Sequence, residues 1–301
     1  MTTDMISADA AGTWGLGDLT VNRIGFGAMR LTQDGPALRT NAPAGDRDRA
    51  IGVLRLAVEL GVNHIDTASF YFSSLRSANE LINRALGPYA DDLVIATKVG
   101  PGRDPSGAFH WATPGQLRGQ VEENLRQLGR DHLDVVNLRL PGSAAEDSLA
   151  EHFGALADLR TAGLVRHLGI SNVRAHHLVE ARSIAPVVCV QNPYGIDSPA
   201  EDHALVELCG KEGIAFVPFF AIAGTGKEAG SVADDGGRLR AAAEARGVSV
   251  AQLRLAWTLH RGPHVLAIPG TGNPDHLVEN VSAGALRLTA EEISALEARP
   301  S

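Results

Sequence analysis

The feature that most constrains this chain is an alternation. From about residue 24 almost to the end, short apolar runs of strand length are separated by longer amphipathic runs, and the pattern supplies eight strands. Such alternation predicts βαβ units, because parallel neighbours need a long crossover and a helix makes a compact one. The predicted strands are 23–29 (RIGFGAM), 61–66 (GVNHID), 92–99 (DLVIATKV), 132–140 (HLDVVNLRL), 165–171 (VRHLGIS), 186–192 (PVVCVQN), 213–220 (GIAFVPFF) and 264–270 (HVLAIPG). Eight strands each followed by a helix fit an α/β chain folded as a closed (β/α)8 TIM barrel; a doubly wound open sheet usually has fewer strands and a GxGxxG turn after the first. That turn is absent. GFGAMR at 25–30 has two close glycines but does not open a helix, so it reads as backbone closely approached by something else.

Local signals agree. In 145–162, Leu149, Phe153, Leu156 and Leu159 recur at spacings of three and four, marking one buried helical face. Gly61, Gly163 and Gly213 stand where helices end before strands, as left-handed C-terminal caps. TWGLGDLTV at 13–21 predicts an N-terminal β-hairpin with a Gly-Asp turn, suited to plugging the bottom of a barrel. After the seventh strand, two helical runs split by Gly247 make one extra helix. No linker or low-complexity segment divides the chain, which predicts a single domain over 1–301.

Composition narrows the function classes. Thirty-five acidic against 27 basic side chains give a net charge of −8, which repels polyanions and argues against nucleic acid. A local pocket of two or three cations for one phosphate-bearing cofactor is compatible with that balance. The N-terminal MTTDMISADA has neither a basic nor an apolar signal region, and no run reaches membrane-spanning length, so a cytoplasmic protein without membrane partners is expected. Cys189 and Cys209 form neither a CxxC pair nor a disulfide framework and are expected to be reduced and buried. HExxH, paired CxxC and GxSxG are missing; His176-His177 reads as a solvated pair on a helix, and no metal is expected.

In a (β/α)8 barrel the chemistry sits at the C-terminal ends of the strands. The second strand runs out through Asp66-Thr67-Ala68-Ser69-Phe70-Tyr71, the third ends near Lys98, and the fourth ends in Asn137-Leu138-Arg139. A phenol, with a pKa of about 10, exchanges protons poorly at neutral pH. A neighbouring cation favours its charged form, and a carboxylate keeps such a cation charged and oriented. Tyr71 is therefore the candidate proton donor to a carbonyl receiving hydride. Singly, a strand-end lysine is more often solvated and a loop tyrosine more often packs its ring; their arrival at neighbouring strand ends carries the argument. Phe109, His110 and Trp111, with Phe70 and Phe72 flanking Tyr71, offer aromatic surface for a flat aldehyde, although large apolar residues also pack in ordinary loops.

GVNHIDTASFY, the lysine ending LVIATK, GISN at 169–172, VQNPY at 190–194 and IPGTGNPDHLVEN at 268–280 together resemble the aldo-keto reductases over nearly the whole chain. HLDVVNLRLPG, VCVQN and VPFF followed by a glycine-containing loop are most similar to the bacterial pyridoxal reductases of that superfamily. The resemblance implies a catalytic group of aspartate, tyrosine, lysine and histidine, matched at Asp66, Tyr71 and Lys98. Where many members carry histidine after the fourth strand, this chain carries Arg139, which can donate several hydrogen bonds to a carbonyl oxygen but does not titrate. A plainer role for Arg139 is to anchor an anionic substrate group. The resemblance also implies that Ser171, Asn172 and Gln191 hold a nicotinamide carboxamide, that Phe219 stacks on its ring, and that Gly270, Thr271 and His276 meet phosphate, with Glu279 and Asn280 near adenine. A Ser-Asn pair also caps helices, and a lone strand aromatic usually belongs to a core. The resemblance implies NADPH as the cofactor; the lysine or arginine that often holds the 2′-phosphate of NADP is missing from this segment, which keeps NADH as the alternative. The implied activity is reduction of an aldehyde, pyridoxal to pyridoxine being favoured; a sugar or secondary-metabolite ketoreductase, and a cofactor-binding regulatory subunit, are the competing expectations.

Overall fold

The computed structural model describes residues 6–35, 37–38, 42–104, 106–142, 147–222 and 237–298. An N-terminal hairpin, β1 (Thr13–Leu16) and β2 (Leu19–Asn22), pairs antiparallel with Trp14 opposite Val21. The parallel sheet then takes β3 (Phe26–Gly27), β4 (His64–Asp66) and β5 (Val94–Val99). A second hairpin, β6 (Pro101–Arg103) with β7 (Phe109–Trp111), interrupts it. The sheet resumes with β8 (Leu133–Arg139), β9 (Val165–Ser171), β10 (Val187–Gln191) and β11 (Ala215–Phe216). Its seven strands stand in chain order, each parallel to the next.

Segment 264–268 closes the ring without counting as a strand. Phe216 N donates to His264 O and Leu266 N to Phe216 O, both at 2.9 Å, while on the other edge Gly25 N donates to Ala267 O and Ala267 N to Arg23 O, both at 2.8 Å. The first, seventh and eighth strands are thus far shorter than the sequence pattern suggests: β3 and β11 have two residues each, and the closing segment makes only isolated bridges. Pro218 and Pro269 cannot donate to a ladder, while Gly25 and Gly27 let the closing segment come close enough for Gly25 N and Gly27 N to donate to Ala267 O and Pro269 O. A side chain on Gly27 would strike Ile268 O at 2.7 Å, so the close approach expected of GFGAMR is made by the closing segment itself.

The crossovers are α1 (Arg47–Glu59), α2 (Ala78–Leu86), α3 (Leu117–Leu128), α4 (Ala150–Thr161), α5 (Ala175–Ile184) and α6 (Ala200–Lys211). Two helices, α7 (Arg238–Arg246) and α8 (Val250–His260), follow β11, giving the extra helix; α9 (Pro274–Ser282) and an unexpected α10 (Ala290–Glu297) finish the ring. Leu149, Phe153, Leu156 and Leu159 are all buried, as their spacing predicts; residues 145–146 of that stretch and the glycine-containing loop at 223–236 lie outside the described residues. Gly61, Gly163 and Gly213 have φ of 82°, 80° and 69°, the left-handed conformation that turns each helix back toward a strand.

Strand alternation sends Val94, Ala96, Val135, Cys189, Ala215, Val217 and Leu266 into the barrel, and Leu16 and Val21 of the first hairpin join this cluster. Since Val94 begins its strand, the hairpin seals the N-terminal end and leaves the C-terminal end for the site. Both cysteines are buried and unpaired, and burial pushes the Cys189 thiol up to about 12. The expected solvated histidine pair is corrected: His176 is exposed, but His177 is buried, its Nδ1 accepting Arg174 N and its Nε2 donating to Asp147 O, each at 3.0 Å. It serves the start of α5, and burial holds its pKa down. Among the described residues no three His, Cys, Asp or Glu side chains come together as a metal site, and no helix is long and apolar enough to cross a membrane.

Candidate active site

Asp66 ends β4, Lys98 stands one residue before the end of β5, and Gln191 ends β10; all three are buried on the inner face of the barrel. Lys98 Nζ donates to Asp66 Oδ1 at 2.5 Å and to Thr67 O at 3.0 Å. The other carboxylate oxygen accepts from Gln191 Nε2 at 2.7 Å. Burial works against the lysine charge, but the attraction of Asp66, the neighbouring Tyr71 and the hydrogen bonds together outweigh it, so Lys98 titrates above an ordinary lysine. It is a fixed cation at the floor of the site.

Tyr71 lies in the turn after β4, held by Tyr71 N donating to Ala68 O (3.0 Å) and Ala78 N donating to Tyr71 O (2.9 Å). The Lys98 ammonium sits 4.9 Å from its ring centroid. Arg139, at the end of β8, donates from Nη1 to Ser171 Oγ at 3.1 Å and lays its guanidinium 4.8 Å from the Phe219 ring centroid. Asp66, Tyr71, Lys98, Arg139, Asn172, Gln191, Phe219 and Gly270 all line one cavity of about 560 Å³ at the C-terminal ends of the strands. Phe70, Phe109 and Trp111 form one side of it, the last two 49% and 43% exposed.

Most of the remaining candidates fall elsewhere. Ser171 is buried beneath Arg139 and does not reach the cavity wall. Asn172 takes a left-handed φ of 60° while its side chain donates to Leu140 O at 2.9 Å; α5 begins at Ala175 with Arg174 as its N-cap, so the pair is not its cap. Thr271 Oγ1 accepts from Asn273 N at 3.0 Å, and the Asn273 side chain caps α9 by accepting Asp275 N at 2.9 Å. His276 is exposed on the first turn of α9, Glu279 half-buried and Asn280 buried; none of them lines the cavity. His110 and Phe72 face a separate hollow behind the second hairpin, since His110 alternates with Phe109 and Trp111 along β7. Sequence reasoning missed Met29, Arg30, Phe220 and Ile222 in the cavity wall, and Arg103 behind it.

One buried atom points to a ligand. Gln191 Oε1 has no hydrogen-bond partner, and an unsatisfied buried acceptor is costly unless something donates to it. The N–H donors of a nicotinamide carboxamide match that acceptor, so the residues present fit a nicotinamide cofactor.

Comparison with known proteins decides the family: residues 23–299 match the aldo/keto reductase family. The chain is an aldo/keto reductase. Membership makes it an NAD(P)-dependent oxidoreductase of a family that acts on small carbonyl compounds. The reductase is 43% identical over 293 residues, 96% of its length and 98% of the relative's, to pyridoxine 4-dehydrogenase of Escherichia coli strain K12. Among solved structures it resembles the thermostable aldo-keto reductase Tm1743 bound to epalrestat, with a TM-score of 0.78 and 28% identity over 94% of this chain and 97% of that one. It also resembles an aldo/keto reductase of Klebsiella pneumoniae in complex with NADP and acetate, with a TM-score of 0.73 and 26% identity over 92% and 90% of the two chains. These likenesses agree with a (β/α)8 barrel.

Proposed function

We propose that this reductase uses NADPH to reduce an aldehyde, with pyridoxal converted to pyridoxine as the favoured reaction. The observation that carries the proposal is the buried Asp66–Lys98 pair beneath Tyr71, in a cavity flanked by Phe70, Phe109 and Trp111. A bound NADPH supplies the hydride that reaches the carbonyl carbon. Tyr71 gives its hydroxyl proton to the carbonyl oxygen, and the Lys98 cation stabilises the phenolate left behind. Asp66 keeps Lys98 charged and aimed. Arg139 polarises the carbonyl or anchors an anionic group, and a pyridoxal phenolate supplies such a group beside a flat ring.

For the cofactor, Gln191 Oε1 accepts from the carboxamide with Asn172 alongside, Ser171 supports Arg139 from beneath, Phe219 stacks on the nicotinamide, and Gly270 lets backbone come close. Thr271 and His276 take the 2′-phosphate, with Glu279 and Asn280 near adenine. This places the substrate end in the cavity and the adenine end along α9. The proposal treats 1–301 as one domain working in the cytoplasm.

The test follows NADPH absorbance with pyridoxal beside a panel of aldehydes and ketones, with an NADH arm. The expected outcome is a kcat/KM for pyridoxal about tenfold or more above that of generic aldehydes, and tighter binding of NADPH than NADH. A sugar ketone turned over faster than pyridoxal, or NADH bound as tightly, overturns the corresponding part.

A further inference from the structure

Arg103 ends β6 with its guanidinium buried, and among the described residues no carboxylate lies within salt-bridge distance of it. Burial disfavours its charge. Its bonding goes to backbone and rings instead: Nη1 donates to Phe72 O at 2.8 Å and to Phe70 O at 3.3 Å. Its guanidinium carbon lies 4.6 Å from the Phe72 ring centroid and 5.7 Å from that of Phe109. The two carbonyls belong to the residues on either side of Tyr71. Phe109, its register partner on β7, belongs to the cavity side and meets the Phe70 ring edge-on at 6.2 Å.

A buried cation without a counterion is an expensive way to pack a hairpin, and its cost is offset only where carbonyl dipoles and ring faces are held toward it. The same contacts tie two parts of the site to each other. The hairpin that carries Phe109 and Trp111 is fastened to the backbone immediately before and after Tyr71, so neither can shift without the other.

We propose that Arg103 is a positioning residue: it couples the aromatic wall of the cavity to Tyr71, setting the distance between a flat substrate lying on that wall and the proton donor. The proposal rests on the proton-donor role given to Tyr71 above. A group acting this way affects the chemical step for every substrate, and affects apparent binding only for substrates large enough to touch the wall.

Arg103→Met, Arg103→Lys and Tyr71→Phe are compared with wild type, using propanal and either pyridoxal or whichever flat aromatic aldehyde the wild type turns over best. NADPH affinity and thermal midpoint are measured on the same samples. For Arg103→Met, kcat is expected to fall about tenfold to a hundredfold with both aldehydes, while KM rises about fivefold or more for the aromatic one alone. NADPH affinity stays within about twofold, and Arg103→Lys, keeping the charge and one carbonyl contact, recovers part of the loss. Should Arg103→Met fail to fold, Arg103→Lys alone is expected to show the smaller kcat loss with unaltered cofactor affinity. A wild-type kcat in the variants, a KM rise shared by propanal, or activity lost only in step with folded fraction overturns the coupling. Full activity in Tyr71→Phe instead overturns the proton-donor role, which separates the two failures.

Discussion

Asp66, Lys98 and Gln191 make a polar chain across a barrel interior lined largely by apolar side chains, and each link answers a need of the next. The ammonium neutralises the carboxylate, the carboxylate spends its second oxygen on the amide, and the amide is left with one acceptor for a ligand. Removing one charge of a buried pair leaves the other uncompensated. Lys98→Met is therefore expected to cost about 3–5 kcal/mol of stability and to lower kcat roughly a hundredfold or more. Adding Asp66→Asn to that variant should restore most of the stability and none of the activity, read by denaturant melts and NADPH oxidation side by side. A single variant as stable as wild type would contradict the pairing. Asp66, Tyr71, Lys98 and Arg139 were legible in the sequence because strand alternation and the strand-end rule place them. The bond between Gln191 and Asp66 was not, because it joins residues 125 apart in the chain across the barrel, and no local pattern records which inward side chains meet.

At the scale of elements, the alternation located every crossover and five of the barrel strands at useful length, but overstated the first, seventh and eighth, where prolines such as Pro218 and Pro269 interrupt the ladder. The β6–β7 hairpin was invisible for a different reason. Its strands have three residues each, and Phe109, His110 and Trp111 are all exposed, so no apolar alternation announces a strand. The inner face of β4 carries a further consequence. His64 lies on the same side as Asp66, fully buried, with Nδ1 unpartnered, and burial pushes its pKa down from 6.5 to about 4. Between those two values the unfolded chain binds a proton that the folded chain does not, so stability falls as the pH drops through that window and the loss is complete below it. Comparing denaturant melts at about pH 7.5 and about pH 5, wild type should lose roughly 2 kcal/mol more than His64→Gln. Equal losses in both proteins would show that His64 titrates normally in the fold.

At the scale of the molecule, the two ends of the barrel have separate duties. The N-terminal hairpin closes one end with Leu16 and Val21, while the strand ends open at the other into a cavity where the only lining carboxylate among the described residues, Asp66, is already paired with Lys98. Arg139 brings a cation to that cavity inside a chain of net charge −8, which suits an anionic cofactor and substrate without attracting polyanions. The architecture and this division were open to sequence reasoning because they follow from periodicity; the path proposed for the cofactor along α9 rests on the resemblance alone, because His276, Glu279 and Asn280 carry no pattern that distinguishes a ligand contact from a helix face. The most direct test of the account is the rate of NADPH oxidation by Tyr71→Phe under single-turnover conditions, with cofactor affinity measured on the same protein. The account predicts a fall of about a hundredfold or more with NADPH affinity within about twofold of wild type; a rate close to wild type would mean that the proton comes from another group and that the buried pair beneath Tyr71 has a different purpose.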